Sequence, residues 1–415
     1  MAQNQLFRGG LALAMAATVF VSSTIAADDS DALKKQIQEL KKITGEDTIR
    51  DKVLELVKDK AKTEKLLKVA DDMAKLDSKQ FNYNSAYILA SAALRLKSND
   101  TALRFYKLCE KKAKELKSGK KMIEAFEGQL AILTEGKKYE EAEELCQKIL
   151  EEQVDEDFDR LKPFVLEEQI KVKTKQGKVD EALKLTDTLI KLDEGGWYFL
   201  NLKGWVLFES GKSEEAAKAY LESIEKLEKN DRLKPEDQQR FIDRTKYILS
   251  NVYVDLNQID KATQMLKDLL KKKPDNSTYN NDLGYVWADH DMNLDESEKL
   301  IRKAIEEDRK ARKKEKNLSP EDDKDNAAYL DSLGWVLYKK KKYAEAKKYL
   351  LEAVKDKEGQ HIEILDHLAD VQMALGEKAD AINTWKKALD QDTSNRRDFK
   401  RREEVIKKVK AAQGK

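Results

Sequence analysis

Apolar and small residues recur along this chain at the spacing expected of helices that pack in pairs. Around Gly334, Leu333 precedes the glycine, and Leu337, Ala346 and Leu350 follow it by three, twelve and sixteen residues. Steps of three and four residues place side chains on one face of a helix. The pattern predicts two antiparallel helices: the first carries the glycine where the helices cross, and the second places the small Ala346 opposite it.

The same offsets recur elsewhere in the chain. The residues equivalent to Gly334 are Ala90, Leu130, Ile170, Gly204, Ser250, Gly284 and Ala369; the copies at Leu130 and Ile170 are weak, and the copy at Gly284 slips by one residue. A single hairpin cannot bury its apolar face, so the units must stack. We therefore predict an all-α protein with about eight stacked helix–turn–helix units over residues 82–395, strongest over 197–395. A helical cap is predicted at 27–81 and a basic capping helix at 396–415.

This spacing resembles the tetratricopeptide repeat (TPR), a helix–turn–helix unit of 34 residues. Equivalent positions lie 34 residues apart between Ile170 and Gly204 and 35 apart between Gly334 and Ala369. Stretches such as AAYLDSLGWVLY are also similar to repeats of exported bacterial repeat proteins. The resemblance implies a right-handed α-solenoid whose first helices line a concave groove.

The N-terminus has the layout of a secretory signal peptide. Arg8 precedes an uncharged run over residues 9–26, Thr24-Ile25-Ala26 is a small-x-small cleavage site, and Asp28 follows. We predict a signal peptide at 1–26 and an exported protein, periplasmic or associated with the cell envelope. The alternative is an N-terminal membrane anchor, because the run is near the minimum of about 17 residues for a span. No integral membrane span is expected after removal of the signal.

Cys109 and Cys146 leave two alternatives open. In an oxidising compartment they could form a disulfide. Buried thiols are the favoured alternative, because cysteine behaves as a small hydrophobe and both lie at core-facing positions of the repeat.

The charges argue against a nucleic-acid partner. Lys and Arg number 80 and Asp and Glu number 79, mixed along the chain rather than in blocks. The last helix is the exception, since it carries Arg396, Arg397, Lys400, Arg401, Arg402, Lys407, Lys408 and Lys410. These residues could bind a nucleic acid or an anionic membrane, but a solvated capping helix is favoured because repeat arrays need a polar end.

The sequence predicts no catalytic site, no cofactor and no metal site. It contains no G-x-x-x-x-G-K-[ST], G-x-G-x-x-G, H-E-x-x-H, C-x-x-C or G-x-S-x-G motif. Its histidines are His290, His361 and His367, and the last two are six residues apart, on opposite sides of a helix. They are therefore not a zinc pair.

Function is accordingly predicted to lie on a surface, the groove that the resemblance implies. Aromatic residues and asparagine recur on the groove side of the first helices, and the candidates for binding are Asn201, Trp205, Phe208, Tyr247, Asn251, Asn281, Tyr285, Trp335 and Tyr338. Aromatic rings offer rigid contact area, and asparagine can donate to and accept from a peptide backbone. The alternative is that these rings pack against neighbouring repeats.

Three functions follow from this reading. The first is a non-enzymatic protein–protein interaction scaffold of the cell envelope that binds a peptide or partner protein in the groove. The second is a self-assembling structural envelope protein, which would be a homo-oligomer. The third is a regulatory subunit of an enzyme complex, and no constellation of residues supports it.

Overall fold

The computed structural model describes residues 27–193, 196–314, 323–393 and 395–414. The predicted signal peptide lies outside the described residues. Among these residues all regular secondary structure is α-helix or 3₁₀ helix and no strand occurs, so the all-α prediction is confirmed. Among these residues no helix has both the length and the apolar character needed to cross a membrane.

The chain forms two compact units that divide inside one helix, after Lys162. The first unit, from residue 27, contains α1 (Ala27–Leu40), α2 (Glu46–Lys58), α3 (Lys60–Leu76), a 3₁₀ turn (Ser78–Gln80), α4 (Tyr83–Arg95), α5 (Asn99–Glu115), α6 (Gly119–Glu135), α7 (Tyr139–Glu151) and the start of α8 (Glu156–Lys175). The predicted cap at 27–81 thus corresponds to α1, α2, α3 and the turn.

The second unit contains the rest of α8 and the following helices. These are α9 (Val179–Leu192), α10 (Trp197–Glu209), α11 (Ser213–Glu228), α12 (Pro235–Asp255), α13 (Ile259–Lys272), α14 (Ser277–Asp289), α15 (Leu294–Arg312), α16 (Ala327–Lys339), α17 (Tyr343–Ala353), α18 (Ile362–Ala374), α19 (Lys378–Leu389) and α20 (Arg396–Gln413). Consecutive helices pack together along the series from α9 to α20.

The register of the hairpins follows the small residues. All equivalents of Gly334 lie in even-numbered helices from α4 to α18. The small residue twelve or thirteen positions later lies in the following helix and is 0% exposed in every hairpin: Ala102, Ala142, Ala182, Ala216, Ala262, Ser297, Ala346 and Ala381. The prediction of stacked helix–turn–helix units is therefore confirmed.

Each turn between the two helices of a hairpin uses the same backbone conformation. Seven residues after each equivalent of Gly334 stands a residue with positive φ: Lys97, Lys137, Gly177, Gly211, Asn257, Asp291, Lys341 and Gly376. The next amide donates back across the turn, as Lys342 N–H does to the carbonyl of Leu337 at 2.9 Å. This is the Schellman arrangement, which closes a helix on a left-handed residue.

The glycines lie under large side chains rather than under the alanines. A Cβ added at Gly334 would lie 2.5 Å from Cγ of Leu350, and one added at Gly204 would lie 2.8 Å from the ring of Tyr220. The residue sixteen positions later therefore covers the glycine, whereas the sequence analysis placed the residue twelve later there. The reason is that the large side chain reaches over the crossing point from the next turn of the second helix.

Replacing Gly334 with alanine should lower the free energy of unfolding by about 1–3 kcal/mol, the usual cost of overpacking a core. This cost exceeds the helix propensity that alanine adds, which is up to about 1 kcal/mol. Urea denaturation of the Gly334→Ala and Leu350→Ala variants and of the double variant tests the cause. If the methyl group collides with Leu350, the two costs should not add. An unchanged free energy for Gly334→Ala would contradict the close crossing.

Both cysteines are buried thiols in the structure. Cys109 and Cys146 are each 0% exposed. Burial raises the pKa of Cys109 well above its ordinary value, which makes its thiolate scarce. Of the two alternatives from the sequence, the structure contains the buried thiols.

The C-terminal helix α20 packs on the last hairpin, against α18 and α19. Val405, Val409 and Ala412 of α20 form a buried cluster with Trp385 and Ala369 of that hairpin. Asn395 caps the N-terminus of the helix, and its side chain accepts a hydrogen bond from the Asp398 amide at 3.0 Å. Apolar packing and the N-cap together fix where its first turn lies.

Candidate functional site

A cavity of about 640 Å³ opens in the second unit between three first helices and the start of α20. Its walls come from α8, α10 and α12 with one residue of α11, and residues 395–397 close one side. Its volume lies within the range of about 300–1,000 Å³ that ligand-binding pockets have.

Six aromatic residues line the cavity. They are Trp197, Tyr198, Trp205 and Phe208 from α10, Tyr220 from α11 and Phe241 from α12. The rings of Trp197 and Phe241 lie 4.7 Å apart at 33°, which joins α10 to α12. Helix α10 has apolar residues on all sides because one side packs into the core and another lines the cavity.

Of the cavity's asparagines, Asn201 holds three helices together, whereas the Asn251 side chain bonds within its own helix. Both N–H groups of Asn201 are engaged, one with the Ser223 hydroxyl and one with the Trp197 carbonyl at 3.4 Å. Its carbonyl accepts a hydrogen bond from Thr245 at 3.2 Å. Asn251 donates to the carbonyl of Tyr247 at 3.2 Å. Asn201 therefore joins α10, α11 and α12 and has no free N–H for a ligand.

The acidic residues of the cavity are paired. Glu167 lies 2.7 Å from Lys171 and accepts a hydrogen bond from the Tyr198 hydroxyl at 2.6 Å. Burial and this contact raise the pKa of Tyr198 to about 12. Glu209 lies 2.6 Å from Lys175. Neither carboxylate is left to repel an anionic ligand.

The start of α20 reaches across to α12. Arg396 forms an ion pair with Asp255 at 2.6 Å. Burial opposes ionisation of Asp255, but the hydrogen bonds from Ser213 and Arg396 outweigh it and hold the pKa of Asp255 below its usual value. Arg397 donates to the carbonyl of Asn251 at 3.2 Å and lies 5.8 Å from the ring of Phe208. The groove is therefore shaped by a helix from outside the repeats.

The structure brings together only some of the residues that the sequence selected. Asn201, Trp205, Phe208 and Asn251 line the cavity. Tyr247, Asn281, Tyr285, Trp335 and Tyr338 do not, and their contacts lie within the protein. The Tyr247 hydroxyl donates to Asp282 at 2.7 Å, and Asn281 is 6% exposed.

Trp335 shows why an aromatic residue after the glycine is not always at a binding surface. Its ring stacks on His367 at 4.0 Å and on Tyr338 at 5.0 Å, and it is 7% exposed. Its indole N–H donates to Asp289 at 3.1 Å. The Tyr285 hydroxyl donates to Glu363 on α18 at 2.7 Å. For these rings the packing alternative describes the contacts found.

Helix α20 also covers an acidic face of α18. Arg401 contacts Glu363 at 2.7 Å and Asp366 at 3.2 Å. Lys408 contacts both Asp366 and Asp370 at 2.7 Å. We expected a solvated capping helix, but the side chains of Arg401 and Lys408 are only 22% and 31% exposed because they contact α18. Their side chains turn inward because Asp366, which is 0% exposed, requires cations beside it.

The pKa values of Asp370 and His367 on α18 depend on both burial and neighbouring charges. Burial and the charge of Asp366 raise the pKa of Asp370, although Lys408 opposes the shift. Burial disfavours charge on His367, but Asp331, which lies 2.9 Å from its Nδ1, raises the pKa of His367 above its usual value. Within the described part of the chain, no group of three or more His, Cys, Asp and Glu side chains could hold a metal ion.

The sequence analysis did not select several residues that line the cavity. Tyr198 could have been selected, because it lies one helical turn before Asn201 and two turns before Trp205 on the same face of α10. Arg396 and Arg397 carried no such signal. Their place in the groove depends on where α20 packs, and local spacing does not determine that.

Comparisons with known proteins agree with the helical hairpins. Family models of the tetratricopeptide repeat match residues 169–231, 249–312 and 326–358. A TPR repeat-containing protein of Pseudomonas aeruginosa is 30% identical over 189 residues, which are 45% of this chain. The match spans only 27% of that relative's length.

Two solved structures are similar at low sequence identity. A tetratricopeptide repeat protein of Parabacteroides merdae is 16% identical with a TM-score of 0.47, and the match covers 68% of this chain and 98% of that protein. A thermophilic TPR protein of Thermus thermophilus is 16% identical with a TM-score of 0.38, and the match covers 51% of this chain and 99% of that protein.

Proposed function

Because the chain carries tetratricopeptide repeats, we propose that it is a non-enzymatic scaffold that binds a peptide or partner protein in the cavity of its second unit. Tetratricopeptide repeats generally mediate protein–protein interaction. The observation that carries the proposal is the aromatic wall of the cavity, where Trp197, Trp205 and Phe208 are only half-buried. Large rings of this kind dominate protein interfaces because they bury much area at a low cost in conformational entropy.

The proposal includes a place in the cell envelope. It is supported by the uncharged run over residues 9–26, which follows Arg8 and precedes Asp28. A signal peptide with this layout directs export, and an N-terminal anchor would place the repeats on the same side of the membrane. The partner is accordingly sought among envelope proteins.

Capture from an envelope extract tests the proposal. The chain from Ala27 onward is immobilised beside a Trp205→Ala, Phe208→Ala variant, which removes two rings from the cavity wall. We expect the variant to retain about one tenth or less of the captured partner, because interface rings of this kind contribute about 2 kcal/mol or more. Circular dichroism should show unchanged helicity.

The matched control is Leu221→Ala, which removes an exposed apolar side chain of α11 that does not line the cavity. This control should capture as much partner as the parent chain. Equal capture by the Trp205→Ala, Phe208→Ala variant would contradict binding in the cavity. Capture of the same chain alone would favour the self-assembling alternative.

A further inference from the structure

Two cations of the cavity are left without a carboxylate. The acidic side chains of the lining are paired, and Arg396 is paired with Asp255. Arg244, on α12, is exposed and forms neither a hydrogen bond nor an ion pair with any residue that the structure describes. Arg397 has no ion pair within the same described ranges. The cavity therefore has an excess of positive charge beside its aromatic wall.

Arg397 is held in place with most of its donors free. One N–H donates to the carbonyl of Asn251, and the guanidinium lies over the ring of Phe208. The carboxylates of Asp255 and Asp282 interact with Arg397 through their charge. However, Asp255 accepts hydrogen bonds from Arg396 and Ser213, and Asp282 accepts one from Tyr247, so neither carboxylate forms a hydrogen bond with Arg397. A guanidinium has five N–H donors in a rigid fork, so an open edge can accept a carboxylate in a bidentate manner.

Resting on the proposed function, we propose that the cavity selects an extended partner segment in which an aspartate or glutamate side chain stands beside an aromatic or aliphatic one. Arg397 binds the carboxylate, Arg244 adds positive charge to the same cavity, and the rings of Trp205 and Phe208 contact the apolar neighbour. Arg397 is thus a specificity-determining residue that lies outside the repeats. Charge complementarity of this kind sets which partner is accepted more than how much area is buried.

The geometry favours a side-chain carboxylate within the segment over a chain terminus. Binding a terminal carboxylate calls for several donors that converge on one point. Here both N–H groups of Asn201 are already used, and the free cations belong to two separate elements, α12 and α20. A cavity along three stacked helices, roughly 8–10 Å apart, is about 20 Å long, which matches about six extended residues.

The position of Arg397 depends on the ion pairs that other residues of α20 form. Arg401 and Lys408 fix the helix on Asp366, and Arg396 fixes its first turn on Asp255. Arg397 is therefore placed before a partner binds, and little ordering of the cation is needed on binding. Such preorganisation increases selectivity for a ligand that matches it.

Selection from a display library tests the proposal. Random nine-residue segments between constant glycine–serine flanks are selected on the full chain from Ala27 onward, and a selected segment is then synthesised with both ends blocked. We expect selected segments to be enriched in aspartate or glutamate beside an apolar residue. Replacing that acid with its amide should weaken binding about tenfold in fluorescence anisotropy, as expected for a hydrogen-bonded charge pair.

Variants assign the selectivity to the named residues. Arg397→Gln and Arg244→Gln should each bring the affinities of the acid and amide peptides closer together. The matched control Lys400→Gln removes one charge from the same helix at an exposed position outside the cavity and should leave the tenfold difference unchanged.

Three outcomes would overturn the proposal. They are equal affinity for acid and amide peptides, selection of no segment, and tighter binding to a peptide only when its own C-terminus is free. None of these outcomes contradicts the proposed function, because that proposal is tested separately by partner capture with the Trp205→Ala, Phe208→Ala variant. A fourth outcome, selected segments without acidic enrichment that still require Trp205, would contradict the acidic selectivity and leave the proposed binding in the cavity standing.

Discussion

Replacing Trp335 with alanine should lower the free energy of unfolding by about 3–5 kcal/mol, the usual range for a buried tryptophan. The ring is 7% exposed and stacks between His367 and Tyr338. Loss of the ring leaves a cavity in the buried cluster formed by residues of helices α14 to α18, and it removes the hydrogen-bond donor to Asp289. Urea denaturation followed by circular dichroism measures the change.

Trp205→Ala is the comparison for this variant. Trp205 has the equivalent position in an earlier hairpin, but its ring is half-buried at the cavity. Its removal should therefore cost less stability than removal of Trp335. If Trp335→Ala left the free energy of unfolding unchanged, its ring would be free to bind a partner, as the sequence analysis proposed.

Replacing Lys408 with methionine should lower the free energy of unfolding by about 3 kcal/mol. Methionine keeps the apolar stem but removes the cation that contacts Asp366 and Asp370. Asp366 is 0% exposed, and removing one partner of a buried charge leaves the other poorly compensated. The value is at the lower end of the usual range because Arg401 also contacts Asp366 and the Lys408 side chain is 31% exposed.

Lys407→Met is the matched control for Lys408→Met. Lys407 precedes Lys408 on α20, is exposed, and forms no ion pair with the residues that the structure describes. Its replacement should change the free energy of unfolding by no more than about 0.5 kcal/mol. Equal effects of the two variants would contradict a buried ionic contact between α20 and α18.

The hairpins could be predicted from the sequence because they depend on contacts between residues close in the chain. Gly334 and Leu350 are sixteen residues apart, and the left-handed residue of the turn, Lys341, lies between them. Helix period, small residues at the crossing and turn geometry are all local properties. These local properties set the register of each hairpin independently of long-range packing.

Part of the site could be predicted for the same reason. Tyr198, Asn201, Trp205 and Phe208 share one face of α10 because the helix repeats every 3.6 residues. The period places equivalent residues on the equivalent face of α16 as well. It does not tell whether a face is open, as in α10, or covered by other side chains, as around Trp335.

The sequence by itself determined the all-α fold, the helical hairpins and the face of α10 that carries the aromatic residues. Only the tertiary structure decided where α20 lies, and hence that Arg396 and Arg397 line the cavity while Arg401 and Lys408 are half-buried against α18. The physical reason is the range of the interactions. Arg396 and Asp255 are 141 residues apart, and an ion pair over that separation follows from packing of whole helices, which leaves no periodic pattern in the sequence.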